Sequence, residues 1–266
     1  MSPIIFDVFG YEIHWYSVTM LLAFSIAVFL FTIEIKRLCV TDKKFIDDLI
    51  FYTILSALFG ARLYYIVFNF SYYSNNILDI FKVWNGGLAI HGGIIGGVLF
   101  ILYYCKKYNK NSIKIFDMIA PGLIFGQAIG RWGNFFNQEA FGSSVTREFL
   151  EKLHIYDWII DNMYIDGFYR HPTFLYESAF CLLGFIIIAL IREYKKIKVS
   201  IISGIYLIWY SIARFFIEEL RTDSLMFFDF KVAQLVSILG IIIGIGFIVY
   251  GFKRKEMYYK KGIDNE

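Results

Sequence analysis

The sequence has few of the residues that break helices, cross-link chains or carry charge. Only three of its 266 residues are proline and three are cysteine, and charged side chains make up 18%, against about 25% in an ordinary soluble domain. Scarce proline permits long helices. Because Cys39, Cys105 and Cys181 lie far apart in or beside apolar runs, they predict buried thiols and argue against a disulfide framework or a thiolate metal site.

The chain also lacks a linker, a low-complexity tract and an internal repeat, and its start has no basic segment or small-residue cleavage site. We therefore expect the first apolar run to be retained and not removed as a signal peptide. We expect residues 1–266 to form a single transmembrane domain. Residues 143–172 mix charged and aromatic side chains, and we expect them to be an extracytoplasmic insertion, either a small cap or a passive connector.

The chain is rich in hydrophobic residues, which form long apolar runs. Hydrophobic residues make up 58% of it and aromatic residues 20%, whereas about 45–50% apolar is usual for soluble domains. A membrane-spanning helix needs about 20 predominantly apolar residues. Runs of that kind lie at 14–35, 46–68, 86–104, 115–130, 173–191, 201–218 and 232–252. We therefore predict an all-α polytopic membrane protein with seven transmembrane helices, of which the fourth, short and interrupted by Pro121-Gly122, is the weakest.

The distribution of Lys and Arg predicts the orientation of these helices. Cytoplasmic loops of membrane proteins carry an excess of these two residues. The loops on one side hold 17 of them and the loops on the other side hold 7. We therefore predict that the N-terminus lies outside and the C-terminus in the cytoplasm. The basic segments are 36–44, 105–114, 192–198 and 253–261.

In this topology the polar residues of five spans fall at one depth, in the outer leaflet. Polar and ionisable groups at membrane depth are costly and usually have a function. Structural polar residues scattered through a bundle would not be expected to agree on depth, so the agreement predicts one site. Its members are Tyr16, Arg62, His91, Arg131 with Asn134, and Arg214 with Glu218.

The sixth span carries a polar stripe. Its members are four residues apart and drift by only about 40° around a helix. Such a stripe is predicted to face the bundle interior or a water-filled cavity rather than lipid. The alternative is that Arg214 and Glu218 form an i, i+4 ion pair that only holds the bundle together. The stripe consists of Tyr206, Tyr210, Arg214 and Glu218.

Three arginines, Arg62, Arg131 and Arg214, together predict an anion. The planar guanidinium fork suits phosphate, and its charge is not lost on burial. At outer-leaflet depth the anion is most naturally a phospholipid headgroup. The structural alternative is that two of the arginines pair with Glu139 and Glu218 and leave nothing for a ligand.

Two further segments have both a structural and a functional interpretation. His91 heads the glycine-rich run Gly92-Gly93-Ile94-Ile95-Gly96-Gly97, which predicts close helix packing. A lone histidine is more often a satisfied core residue, but its shared depth with the arginines favours a catalytic role. Pro172 predicts the start of the fifth span, with Thr173 or a residue one position away as its cap and Glu177 about one turn inside. A purely structural helix entrance explains that segment equally well.

The sequence resembles the bacterial prolipoprotein diacylglyceryl transferases over nearly its whole length. The longest matching segment is Gly130-Arg131-Trp132-Gly133-Asn134-Phe135-Phe136-Asn137-Gln138-Glu139-Ala140-Phe141-Gly142. The resemblance implies a seven-helix enzyme of the bacterial cytoplasmic (inner) membrane. The other matching residues are His14-Trp15-Tyr16, Gly60-Ala61-Arg62, His91-Gly92-Gly93, Arg170-His171-Pro172, Tyr176-Glu177, Tyr210, Arg214 and Glu218.

The implied reaction transfers the diacylglyceryl unit of phosphatidylglycerol to the thiol of a cysteine. That cysteine belongs to the lipobox of a prelipoprotein signal peptide, so the reaction forms a thioether, releases glycerol phosphate and begins lipoprotein maturation. The expected partners are phosphatidylglycerol, the prelipoprotein and membrane lipid, with no nucleic acid. Neither a metal nor an organic cofactor is required.

The resemblance also implies roles for single residues, with Arg131 and Arg214 as clamps on the headgroup phosphate. A thiol must become a thiolate to attack, and His91 is the candidate base; the field of the arginines is the alternative. We expect the catalytic residues to be His91, Arg131, Arg214, Glu139 and Tyr16. We expect the lipid-binding residues to be Arg131, Arg62, Asn134, Gly142, Tyr210 and Glu218.

Two functions from other classes stay open. A phospholipid transporter or scramblase would also bind an anionic headgroup, but transporters often have internal repeats and need access from both leaflets. A non-catalytic membrane anchor would leave the arginines unexplained. The shared outer depth of the polar residues therefore favours the enzyme.

Overall fold

A computed structural model describes residues 3–8, 11–38, 43–254 and 258–260. Cys39 lies outside these residues, whereas Cys105 and Cys181 are free and buried, as predicted. The fold is mostly helical, and short 3-10 helices lie at Ile77–Phe81 and Val83–Asn85. The α-helices are α1 (Trp15–Arg37), α2 (Lys43–Phe68), α3 (Phe70–Tyr73), α4 (Ile90–Lys107), α5 (Ser112–Phe136), α6 (Arg147–Lys152), α7 (Asp157–Asn162), α8 (Thr173–Ile191), α9 (Ile201–Leu220) and α10 (Val232–Lys253).

Short antiparallel strands join some of these helices. A hairpin precedes α1, a three-stranded sheet of order β3-β5-β4 lies between α5 and α8, and a second hairpin joins α9 to α10. The prediction of an all-α fold did not include them, because segments this short leave no hydropathy pattern. The strands are β1 (Ile4–Val8), β2 (Tyr11–His14), β3 (Ser144–Val145), β4 (Tyr164–Ile165), β5 (Phe168–Arg170), β6 (Met226–Phe227) and β7 (Phe230–Lys231).

Among the described residues, six helices are long and apolar enough to cross a membrane: α1, α2, α5, α8, α9 and α10. The chain is therefore an α-helical, multi-pass membrane protein. The third predicted span, 86–104, corresponds to α4, which has 18 residues. It is not among the six, because Lys106 and Lys107 in its last turn lower its mean hydropathy.

The described residues form two compact units. The first comprises the chain up to Ile35 and again from Phe116 onward, and the second runs from Lys36 to Ile115. The single transmembrane domain expected for residues 1–266 stays a prediction.

In the first unit, α5 is the central buried helix. It continues through Pro121 for 25 residues in all, so the expectation of a short, interrupted fourth span was wrong. An internal proline costs a helix about 3 kcal/mol, and burial offsets this cost because Ile124 and Ala128 in the next turns are both buried. Gly122 lets α1 approach closely, since a Cβ at this position would lie 2.6 Å from the Ala27 carbonyl oxygen.

Residues 143–172 form a folded insertion. Ile159, Met163 and Ile165 of this segment are buried together with Phe135 of α5 and Phe174 of α8. The insertion therefore packs on two of the long helices through its own small core. Its extracytoplasmic location remains a prediction.

Strand pairing joins the two ends of the insertion, and the hydrogen bonds of Arg147 connect the segments between them. Ser144 of β3 pairs with Arg170 of β5. Arg147, at the start of α6, donates to the carboxylates of Glu151 at 2.8 Å and Asp161 at 2.7 Å, and to the Tyr169 hydroxyl at 3.2 Å. Hydrogen bonds to these groups raise the pKa of Arg147 above its ordinary value.

In the second unit, α2 and α4 pack backbone against backbone. Gly60 of α2 faces Gly92 and Gly96 of α4, and a Cβ added at Gly92 would overlap the Gly60 carbonyl oxygen. The spacing of small residues on α4 predicted this close approach. The glycines that follow His91 are therefore explained by packing.

Candidate functional site

The polar stripe of α9 faces α5 and α8 inside the first unit, as its spacing predicted. Gln127 of α5 donates to the Tyr206 hydroxyl at 3.1 Å, and Arg131 of α5 donates to the Tyr210 hydroxyl at 3.0 Å. The two tyrosine rings lie nearly parallel, with their centroids 6.3 Å apart. These contacts align α5 with the first two residues of the stripe, Tyr206 and Tyr210.

The central ion pairs of the site converge on Glu177 of α8. Its Oε1 lies 2.7 Å from Arg131 Nη2, and its Oε2 lies 3.3 Å from Arg214 Nη1. The Glu177 side chain is only 3% exposed. Each oxygen of one buried carboxylate thus faces a different arginine.

Each of these arginines has a second partner. Arg214 Nη2 lies 2.7 Å from Glu218 Oε2, one helical turn along α9. Arg131 has the Tyr210 hydroxyl, and its Nη1 also lies 3.5 Å from Asn134 Oδ1. The predicted structural pair Arg214–Glu218 therefore exists, but it is one part of a larger network.

The network continues outward beyond the end of α9. Arg221 lies 4.0 Å from Glu218 and makes two hydrogen bonds of 2.9 Å to Asp223. Burial alone would raise the pKa of Asp223, but the hydrogen bonds and charge of Arg221 outweigh burial and hold that pKa below its ordinary value. In this cluster the positive charges of three arginines are balanced by the negative charges of three carboxylates.

The longest matching segment, residues 130–142, is called the signature, and it ends in a loop beside this network. Asn134 donates from Nδ2 to Glu139 Oε1 at 2.9 Å, and Glu139 itself is exposed. Gln138 and Ala140 have φ angles of 51° and 58°, a left-handed backbone that is uncommon outside glycine. Glu139 thus pairs with Asn134, whereas the alternative raised from the sequence paired it with an arginine.

Gly142 has a packing role at the end of the signature. Its N–H donates to the His171 carbonyl at 3.0 Å, and a Cβ at this position would lie 2.6 Å from the His171 Cβ and 3.0 Å from the Leu220 carbonyl oxygen. The adjacent Ser143 N–H donates to Leu220 at 3.0 Å. Backbone bonds therefore join the signature to the end of α9, and the predicted contact of Gly142 with lipid stays a prediction.

The cap of α8 lies one position before Thr173, within the shift of one residue that the sequence analysis allowed. The N-cap residue is Pro172, and Thr173 is the first residue of the helix. Its hydroxyl instead donates to the carbonyl of Ala140 in the signature loop. The loop offers an acceptor that lies far away in sequence, so the side chain bonds outside its own helix.

Tyr16 lies beside the signature helix. A Cβ at Gly133 would lie 3.0 Å from Cδ2 of Tyr16 and 2.7 Å from the Thr19 hydroxyl oxygen. The neighbouring Trp15 stacks on Phe136 with ring centroids 5.0 Å apart. The start of α1 therefore packs directly on the end of α5.

Arg62, in the second unit, has a different environment from the arginines of the first. It is buried, and its guanidinium donates to five backbone carbonyls of the loop between α3 and α4. The bonds to Ile80 and Gly86 are 2.9 and 2.7 Å long. Its predicted role in lipid binding stays a prediction, while its contacts make it the organiser of this loop. The other three acceptors are Asp79, Lys82 and Gly87.

His91 is the second residue of α4, also in the second unit, and is exposed. Its ring centroid lies 6.1 Å from that of Tyr64. Among the residues that the structure describes, no hydrogen bond to its imidazole is found. Its role as a general base stays a prediction.

The residue that the sequence analysis undervalued is Glu177, which was expected as an acid about one turn into the fifth span and matched the family in Tyr176-Glu177, but was given no role in the site. One signal pointed to it. The sixth span supplies Glu218 for Arg214, which leaves Arg131 in need of a buried acid from another helix.

In the described part of the chain, no cluster of three or more His, Cys, Asp or Glu residues is arranged to hold a metal ion.

Comparison with known proteins identifies relatives of the whole chain. The family model described as prolipoprotein diacylglyceryl transferase matches residues 3–250. A phosphatidylglycerol–prolipoprotein diacylglyceryl transferase of Listeria monocytogenes serotype 4b is 44% identical over 260 residues, which cover 97% of this chain and 93% of the relative. One of the same name from Staphylococcus aureus strain Newman is 46% identical over 251 residues, 94% of this chain and 89% of the relative.

Proposed function

The chain belongs to the prolipoprotein diacylglyceryl transferase family, and from this premise we propose that its first unit holds the lipid phosphate between two arginines. Its activity is the transfer of a diacylglyceryl group from phosphatidylglycerol to a prolipoprotein, the first step of bacterial lipoprotein maturation. We assign the acceptor to the lipobox cysteine thiol of the signal peptide. The products are then a thioether-linked lipid and glycerol phosphate.

One observation carries the assignment of the site: Arg131 and Arg214 converge on a single buried carboxylate. Two guanidinium groups that reach both oxygens of one carboxylate are also placed to reach two oxygens of one phosphodiester, since both anions accept charge-assisted hydrogen bonds. Tyr210 and Asn134 orient Arg131 for this role.

The bond changes explain why the arginines matter. The thiolate sulfur forms a bond to a glycerol carbon of the lipid while the bond from that carbon to the phosphate oxygen breaks. The bonding electrons leave with the phosphate, whose negative charge increases as the reaction proceeds. Preorganised donors aimed at such developing charge lower the barrier.

The thiol must lose its proton before or during attack, because a free cysteine has a pKa of about 8.5. We assign this proton to His91, whose imidazole is exposed at the start of α4. The field of Arg131 and Arg214 is the alternative source of activation.

We propose that α4 also crosses the membrane, which makes seven spans with the N-terminus outside. The excess of Lys and Arg in one set of loops supports this orientation. The site then opens to the outer leaflet of the bacterial cytoplasmic membrane, with residues 143–172 above it. An exported prolipoprotein would present its cysteine from that side.

The test uses purified protein in nanodiscs that contain phosphatidylglycerol, with a synthetic lipobox peptide as acceptor. The peptide mass should rise by one diacylglyceryl unit, and Arg131→Ala should abolish the rise. Arg192→Lys is the matched control, because Arg192 forms a buried pair with Glu34 outside the proposed site. Normal transfer by Arg131→Ala would overturn the assignment. Lipid binding without any gain in peptide mass would instead favour a transporter.

A further inference from the structure

Glu177 occupies the position between two arginines that the proposed function gives to the lipid phosphate. Its two oxygens lie 2.7 Å from Arg131 and 3.3 Å from Arg214. A carboxylate and a phosphate that both sit there would repel each other strongly, because like charges at such distances in a poorly solvated site interact strongly. Substrate binding must therefore weaken the contacts of Glu177.

The arginines do not depend on Glu177 alone. Arg131 retains the Tyr210 hydroxyl at 3.0 Å, and Arg214 retains Glu218 at 2.7 Å. When a phosphate replaces Glu177, Arg131 therefore keeps Tyr210 and Asn134 and Arg214 keeps Glu218, while the N–H groups that faced Glu177 are left for the ligand. The network is built so that one anion can replace another at its centre.

The charge of the phosphate changes during the reaction. The substrate is a phosphodiester with one negative charge, whereas the product is a phosphate monoester that carries about −1.5 to −2 at pH 7. Two arginines alone would bind the product more tightly than the substrate, and release would become slow. A nearby carboxylate opposes the product more than the substrate, because the repulsion grows with the charge of the ligand.

We infer that Glu177 is an internal anion that alternates with the phosphate on Arg131 and Arg214 and so speeds release of glycerol phosphate. This inference rests on the proposed function of the same site. Glu177 is a positioning residue in this scheme, since it acts on the substrate through the two arginines. A purely structural Glu177 would stabilise the network without favouring diester over monoester.

The first experiment measures inhibition by glycerol phosphate in the nanodisc transfer assay. Glu177→Gln should lower the inhibition constant for glycerol phosphate by about tenfold or more, because it removes like-charge repulsion. The KM for phosphatidylglycerol should fall less, and kcat should fall as release becomes limiting. Glu34→Gln is the matched control, since Glu34 is an equally buried partner of an arginine elsewhere in the unit. It should leave the inhibition constant unchanged.

A second measurement needs no substitution. The unsubstituted protein should bind glycerol phosphate no more tightly than its diester counterpart, glycerophosphoglycerol, despite the greater charge of the monoester. A preference for the monoester of more than about tenfold would overturn the inference, as would an unchanged or raised inhibition constant for glycerol phosphate in Glu177→Gln.

The outcomes also separate this inference from the proposed function. If phosphate compounds compete with the lipid but Glu177→Gln has no effect on their affinity, only the role of Glu177 is wrong. If neither phosphate compound inhibits and Arg131→Ala still transfers lipid, the arginine site itself is wrong and the inference fails with it.

Discussion

Arg131 and Arg62 lie at similar positions, five and six residues before the ends of long helices, yet their polar partners are of opposite kinds. Arg131 meets side chains, namely the carboxylate of Glu177, the hydroxyl of Tyr210 and the amide of Asn134. Among the described residues, all five hydrogen-bond acceptors of Arg62 are backbone carbonyls. Side-chain partners can rotate away when a ligand arrives, whereas carbonyls move only with the chain.

The difference suggests different uses for two buried arginines of the same protein. A carboxylate neutralises the guanidinium and can be exchanged for another anion. A set of carbonyls uses up the N–H groups, so an anion could bind only if the loop opened. The comparison predicts that substitutions of Arg131 and Arg214 change chemistry, whereas substitutions of Arg62 change folding.

The largest expected effect is that of Arg131→Lys or Arg214→Lys on transfer. A lysine keeps the charge but lacks the planar fork, and loss of one donor to developing charge costs a factor of about 10²–10³ in rate. The rate of peptide lipidation measures this, with thermal melting to show that the variant is folded. Near-normal turnover in either variant would mean that charge alone suffices.

Arg62→Ala should destabilise the fold, by a free energy similar in size to the loss of transition-state stabilisation expected for the lysine variants. Five carbonyls lose their donor, and we expect a loss of about 2–4 kcal/mol in local stability. Faster limited proteolysis within residues 69–89 is the measurement. The KM for phosphatidylglycerol, per folded protein, should stay within about twofold if the carbonyl contacts describe the whole role of Arg62. A large rise in KM with an intact loop would support the predicted role of Arg62 in lipid binding.

His91→Gln tests whether the second unit contributes to the chemistry. If His91 is the base, the rate should fall by about 10² or more and the acid limb of the pH–rate profile should disappear. His154, an exposed residue of the insertion, gives a matched control as His154→Gln. A His91→Gln variant with its rate and pH profile intact would shift thiol activation to the arginines.

The smallest effect is expected at the outer edge of the arginine network. The lowered pKa of Asp223 means that its charged form is favoured in the folded protein. Its contribution to stability is therefore present above about pH 4 and is lost as pH falls through its folded pKa. Because its side chain is about half exposed, Asp223→Asn should cost less than about 1 kcal/mol at pH 7. Equal stability losses at pH 7 and pH 3 would contradict this.

Hydropathy predicted the long helices other than α5 to within a few residues, because burial in lipid demands a fixed apolar length. The spacing of four along α9 likewise predicted that Tyr210 and Arg214 share an inward face. The course of α5 through Pro121 was not predictable, since it depends on packing partners from distant parts of the chain.

Partners within the site were harder to predict than its members. Arg131 stood out in the sequence, but its pairing with Glu177 of another helix depends on how the helices rotate. The acceptors of Arg62 are backbone carbonyls, which every residue has and no sequence pattern marks. The contact of Thr173 with Ala140 was missed for the same reason.

The pairing of Ser144 with Arg170, together with the bond from Ser143 to Leu220, closes the insertion at its base. Everything between these positions forms a side branch of the chain, and its turn at Asp166-Gly167 has positive φ angles of 52° and 80°. Extra residues added at that turn would lengthen the branch without moving Arg131 relative to Arg214. The molecule thus has a place where length can vary between species or be engineered, for example to carry a tag, while the spacing of the two guanidinium groups stays constant.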